Sequence, residues 1–129
     1  MDLVVLDTSV IIDYTRGHSR YFLNLLDSHK TGKIKLLLPV AALFELELGT
    51  SMEILEKREE LLDSLSSLER LEVSEDVAIL AGQSIRRGKI ADDPLDAFIA
   101  ATAVLSGAKL ATLNRRHFRS FPGLTLYGN

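Results

Sequence analysis

Asp7, Glu45 and Asp96 are carboxylates in surroundings that a purely structural sequence rarely gives one. Asp7 closes the aliphatic run Leu3–Leu6 and is followed at once by Thr8 and Ser9, in LVVLDTSVIIDY. Either it caps the helix that Val10, Ile11, Ile12 and Tyr14 begin, or it is a ligand at the carboxyl end of a central strand, where open α/β sheets bind theirs. Glu45 lies inside AALFELELG, apolar almost all round, with Ala41, Ala42, Leu48 and Gly49 beside it at helical spacing. A carboxylate buried there without a partner is costly, unless it reaches water from an edge; Glu47 shares that ambiguity. Asp96 follows Asp93 in DPLD with the spacing of a capping box, and both acids suit the positive end of a helix dipole.

Each acid therefore has a structural explanation of its own, and their joint pattern points further. Two fall where strand ends meet helix starts, and the third on a helix beside a strand's end. In a doubly wound sheet those places converge on one crevice. Converging carboxylates raise one another's pKa unless a cation joins them. Oxygen ligands without cysteine or neighbouring histidine pairs suit Mg²⁺ or Mn²⁺ rather than zinc. A hard dication with open water positions serves phosphoryl transfer to water. On this reading Asp7 is a metal ligand, and Thr8 or Ser9 orients it or caps the helix.

The elements that must position these acids follow from periodicity. Leu3–Leu6 reads as a strand buried on both faces. Tyr21, Phe22, Leu25 and Leu26 mark a helix stopped by Gly32. IKLLLP is a second strand, VAALFELEL a helix ended by Gly49, and Leu55 to Leu68 a long helix with Glu56, Glu59 and Glu60 on its wet side. LERLEV gives a third strand, SEDVAILAGQSIRRG a helix closed by Gly88, and AKLATLN a fourth strand. DPLDAFIAATAVLSG has the full set of helix punctuation: Asp93 at the cap, Pro94 at the first position, Gly107 past the end. LTLYG is expected to add a fifth strand. Strands alternating with helices predict an α/β fold, a parallel sheet between helical layers with right-handed crossovers.

The chain of 129 residues is expected to form one domain over 1–129. Its apolar content of 47% and its three prolines argue against disorder. With no cysteine it has neither disulfides nor thiolate metal sites, which is compatible with a reducing cytoplasm. No basic stretch followed by a long apolar one suggests an export signal, and no run reaches the roughly 18 apolar residues that span a bilayer. A net charge of −3 gives no global attraction to nucleic acid. The last third is nevertheless locally basic, with Arg86, Arg87, Lys89, Arg115, Arg116 and Arg119, a strip able to meet a phosphate backbone.

VLDTSVIIDYTRG, LFELELG and DPLDAFIAATAVLSGAKLATLNRRHFRSFPGL stand in the order found in PIN-domain ribonucleases. The chain resembles most the VapC-type toxins of toxin–antitoxin pairs, nearly end to end from Asp7 to Leu124. The resemblance implies a three-layer α/β/α sandwich with a mostly parallel sheet. It also implies Mg²⁺- or Mn²⁺-dependent RNA cleavage leaving a 3′-hydroxyl and a 5′-phosphate, a homodimer, and inhibition by a VapB-like antitoxin. Asp7, Glu45 and Asp96 match the family's main acidic positions. Asp7 and Asp96 would hold the metal, with Glu45 as ligand or proton acceptor for the attacking water.

One departure stands out. The family's further acid near the end of the last long strand is replaced by Asn114 and His117 in TLNRRHF. Asn114 could bind metal weakly through its amide oxygen, His117 could contact a phosphate but is rather expected to pack beside Phe118, and Asp93 is a substitute ligand that capping explains more simply. The loss implies one well-held cation and a second that needs substrate phosphate. Arg115, Arg116 and Thr8 are the expected RNA-contacting residues, with Tyr14, Tyr21 and Phe22 as less favoured stacking partners. Other classes remain: a non-catalytic RNA-binding PIN module, or a phospho-accepting receiver domain. The latter wants an acidic pair after the first strand and a lysine after a late one, and a haloacid-dehalogenase-like phosphatase wants an acid where Ser9 stands.

Overall fold

The computed structural model describes residues 1–49, 52 and 55–128. Its elements are β1 (Asp2–Leu6), α1 (Thr8–Thr15), α2 (Tyr21–Lys30), β2 (Ile34–Pro39), α3 (Val40–Leu48) and α4 (Leu55–Leu65). They continue with β3 (Glu69–Leu71), α5 (Glu75–Arg86), α6 (Pro94–Leu105), β4 (Lys109–Ala111) and the short α7 (Arg115–Phe118). The strands form one sheet in the order β3-β2-β1-β4, every pair parallel. Val4, Val5 and Leu6 are all 0% exposed. Because consecutive strand residues point to opposite faces, both faces of β1 are covered, as the unbroken aliphatic run requires. Leu36, Leu37 and Leu38 repeat the pattern in β2. The expected three-layer α/β/α arrangement is what is found.

Helix α6 packs on β1 and β4, with α5 and α3 against it. Its buried face is mostly alanine, Ala97, Ala100, Ala101 and Ala103 with Ile99, so its axis can come close to the sheet. Enlarging Ala100 to Leu would overpack that contact at a cost of about 1–3 kcal/mol. Gly107 closes the helix at φ 69° and Gly32 ends α2 at φ 79°, backbone conformations that a Cβ disfavours.

Two expectations change and one element is added. LTLYG contributes a single parallel bridge, Leu110 to Leu126, rather than a strand. The Leu110 amide donates to the Thr125 carbonyl, the Tyr127 amide donates to the Leu110 carbonyl, and the pairing stops there. Helix α4 ends at Leu65, and Leu68 is buried from the turn beyond it. Arg115–Phe118 forms one helical turn, an element that the sequence analysis did not identify.

Candidate active site

The site is built at the carboxyl end of the sheet, beginning with β1. The register Leu6↔Ala111 and the hydrogen bond from the Asp7 amide to the Ala111 carbonyl, 2.9 Å, set Asp7 beside Thr112. Asp7 occupies the N-cap position of α1, yet its side chain accepts no hydrogen bond from that helix's backbone amides. Instead Asp7 Oδ2 accepts from Ser9 Oγ and from Thr112 Oγ1, each at 2.7 Å. Ser9 Oγ also accepts from the Leu113 amide at 3.0 Å, and Thr112 Oγ1 accepts from the Asn114 amide at 2.9 Å. The carboxylate is thus clamped by two hydroxyls that the turn after β4 holds in place. Asp7 is only 2% exposed. Its Oδ1 has no protein partner among the described residues and is not sealed from solvent. One oxygen is fixed and the other is available.

Glu45 comes from α3, which starts directly after Pro39 at the same end of the sheet. It is half-buried, and its Oε1 accepts from Thr8 Oγ1 at 2.9 Å. Burial pushes its pKa up, the Thr8 hydrogen bond opposes that, and the charges of Asp7, Asp96 and Asp93 push it further up. Glu47 points elsewhere and pairs with Arg58 at the surface, 3.0 Å away.

Asp93 and Asp96 divide their work at the start of α6. Asp93 is the cap, accepting from the Leu95 and Asp96 amides at 3.1 and 3.2 Å. Asp96 does not complete a capping box: the Asp93 amide donates to the Ala91 carbonyl instead. The Asp96 carboxyl faces the acids. Its pKa is pushed up to about 6, first by burial, then by Asp93 and Asp7, with His117 pulling the other way. Glu45 and Asp96 therefore each feel the charges of Asp7 and Asp93, which sequence-remote groups do only when a cleft collects them.

Several residues take places other than those expected. His117 does not pack beside Phe118; its side chain is 58% exposed, with Nδ1 3.4 Å from Asp96 Oδ2. Thr8, expected to touch RNA, is 2% exposed and its hydroxyl serves Glu45. Arg115 reaches the Tyr127 carbonyl at 3.0 Å and so ties down the C-terminal segment. Arg116 remains exposed on α7. Phe22 is core, against Tyr14 with ring centroids 5.1 Å apart, and Tyr21 is half-buried with its pKa raised by burial and Tyr127. The clamp residue Thr112 was not singled out from the sequence. Its only signal there is a hydroxyl residue directly after a strand that neighbours the first.

As a donor set for a hard dication the acids have the right chemistry: oxygen only, mutually repelling, one oxygen without a partner. Among the described residues no three acidic or histidine side chains are close enough to enclose an ion as they stand. The acids share a cleft without forming a closed cage.

A sequence model of the PIN domain matches residues 4–124. Ribonuclease VapC19 of Mycobacterium tuberculosis is 31% identical over 123 residues, 93% of this chain and 95% of that protein. In the crystal structure of VapBC2 from Rickettsia felis bound to a DNA fragment from their promoter, one chain superposes with a TM-score of 0.81. The identity is 22%, over 96% of each chain. The crystal structure of DNA-bound VapBC from Salmonella typhimurium gives a TM-score of 0.78 at 23% identity, over 98% of this chain and 97% of its counterpart. Among the described residues no helix is long and apolar enough to cross a membrane.

Proposed function

The chain belongs to the PIN-domain family, and from that premise we propose that it is a metal-dependent endoribonuclease, the toxin of a toxin–antitoxin pair. The observation that carries the reading is the gathering of Asp7, Glu45 and Asp96 at the carboxyl end of the sheet, with Glu45 under the charges of Asp7 and Asp96, and Asp96 under that of Asp7. The similarity to a ribonuclease along nearly the whole chain supports it.

Asp7 and Asp96 would hold Mg²⁺ or Mn²⁺, with Glu45 beside them. When bound, such a cation lowers the pKa of water and neutralises charge building on the phosphate. The protein's own groups do the rest. Ser9 and Thr112 fix Asp7 so that one oxygen always points to the same place. Glu45, with its raised pKa and the Thr8 hydroxyl on one oxygen, can take the proton that an attacking water releases. His117 lies against Asp96 and offsets part of the negative field where an anionic substrate must approach. Arg116, exposed on α7, would position a phosphate rather than read sequence.

A VapB-like antitoxin is the partner proposed for the site, in keeping with the VapBC complexes among its structural neighbours. A homodimer belongs to the same proposal. The open depression lined by Val40, Ala41, Phe44, Val73, Leu95 and Phe98, where Phe44 is 57% exposed, is an apolar surface of the kind that interface cores bury. The deciding experiment incubates the purified chain with single-stranded RNA in Mn²⁺ and in EDTA. Internal cleavage with Mn²⁺ and none with EDTA is expected; intact RNA under both conditions would overturn the reading.

A further inference from the structure

Next to Ser9 lies a second cleft, of about 300 Å³, lined by Ser9, Ile12, Asp13, Arg16, His18, Leu113 and Asn114. Its lining changes character from the acidic site. Ile12 is partly buried against the core and Leu113 is 47% exposed, so together they give it an apolar floor. Arg16 and Asn114 are exposed, and among the described residues no carboxylate pairs with Arg16 and no side-chain hydrogen bond is made by Asn114. Asp13, the cleft's one acid, already accepts from the Ser19 hydroxyl and lies 3.8 Å from His18 Nδ1. The cleft is joined to the acidic site through Ser9, whose hydroxyl donates to Asp7 while its flank lines the cleft.

An apolar floor, an amide able to donate and accept, and a guanidinium at the rim are what one nucleotide needs: a face for its base or ribose, an edge contact, and a phosphate contact. The volume lies at the lower end of ligand clefts. We propose that this cleft seats the nucleotide next to the scissile phosphate, with Arg16 holding its phosphate and Asn114 reading the edge of its base. The Asn114 amide adds no negative charge to the strand's path and supplies a group that can discriminate bases. The proposal rests on the nuclease reading for what the cleft neighbours, though not for whether it binds RNA.

Two measurements on the full chain test it. Binding of a fluorescent single-stranded oligoribonucleotide is followed in EDTA across a range of salt for wild type, Arg16→Ala and Arg16→Lys. Loss of one phosphate contact should reduce the salt slope by about 0.7 in Arg16→Ala, with Arg16→Lys restoring it. Cleavage of a randomised RNA pool in Mn²⁺ is then read by sequencing. Asn114→Ala should flatten base preference at one position beside the cut by about tenfold, and Arg16→Ala should leave that preference alone. An unchanged salt slope with an unchanged preference overturns the proposal. If wild type cuts no RNA, the nuclease reading fails, and the binding arm still decides the cleft. If Arg16→Ala spares RNA binding but weakens binding of the antitoxin, the cleft belongs to a protein partner and the proposal falls.

Discussion

The two ends of the sheet treat acids in opposite ways. At the amino end, Asp2 opens β1 and meets Lys109 of β4 at 3.1 Å, and Glu69 opens β3 and meets Lys35 of β2 at 3.3 Å. All four side chains there are well exposed, and each acid has its own cation. At the carboxyl end of the same β1, five residues on, Asp7 is buried among hydroxyls, and its charge bears on Glu45 and Asp96. Paired surface charges cost little and contribute little. A collection of like charges costs stability, so its persistence points to a ligand that relieves it. One strand thus opens on a paired surface acid and leads into the buried acid proposed as a metal ligand.

The sharpest way to break this contrast is Asp7→Asn. It keeps the shape and removes the charge, and Mn²⁺-dependent RNA cleavage should fall by more than the roughly 100-fold that loss of an outer partner can cost. Wild-type rates from the folded variant would make Asp7 no different in kind from Asp2. Thr112→Val comes next. It removes one of two hydroxyls from Asp7 Oδ2, and a loss of about 10–100-fold in activity or Mn²⁺ affinity is expected, with an unchanged circular dichroism spectrum.

Asp96 sharpens the comparison through pH. Its carboxyl titrates near 6 in the folded chain, above the ordinary 3.8. The folded state therefore binds this proton more tightly than the unfolded chain does. That stabilisation is fully present below pH 3.8 and is lost as pH rises through 6. In EDTA, Asp96→Asn should match wild type at low pH and become more stable than it by about 1 kcal/mol above pH 6, after allowance for solvent screening. Urea melts at several pH values measure this, and a variant less stable at pH 7.5 would contradict it. The smallest effect belongs to the amino end. Asp2→Asn should change stability by about 0–1 kcal/mol and leave cleavage untouched; a drop in activity there would dissolve the contrast.

Much of this was legible in the chain because the signals are local. The helix α6 carried its own cap, first proline and closing glycine, and the structure puts all three where the pattern predicts. The buried strands announced themselves as aliphatic runs. What failed was short or weakly patterned. Residues 124–128 look like a strand, but β4 offers only Lys109–Ala111 to pair with, so one bridge is all that forms. The turn α7 buries only Phe118 and has no apolar periodicity to read.

The sequence by itself determined the layer architecture and the identity of the acids that needed explaining, because periodicity and capping act over a few residues. It could not assign their partners. Thr8 and Ser9 are neighbours of one type, yet the helical turn between them aims Thr8 at Glu45 and Ser9 at Asp7. The hydroxyl that completes the Asp7 clamp arrives from 105 residues away. Only the parallel register of β1 with β4 brings it there, since a hydrogen bond depends on position to within tenths of an ångström and chain spacing carries no such information.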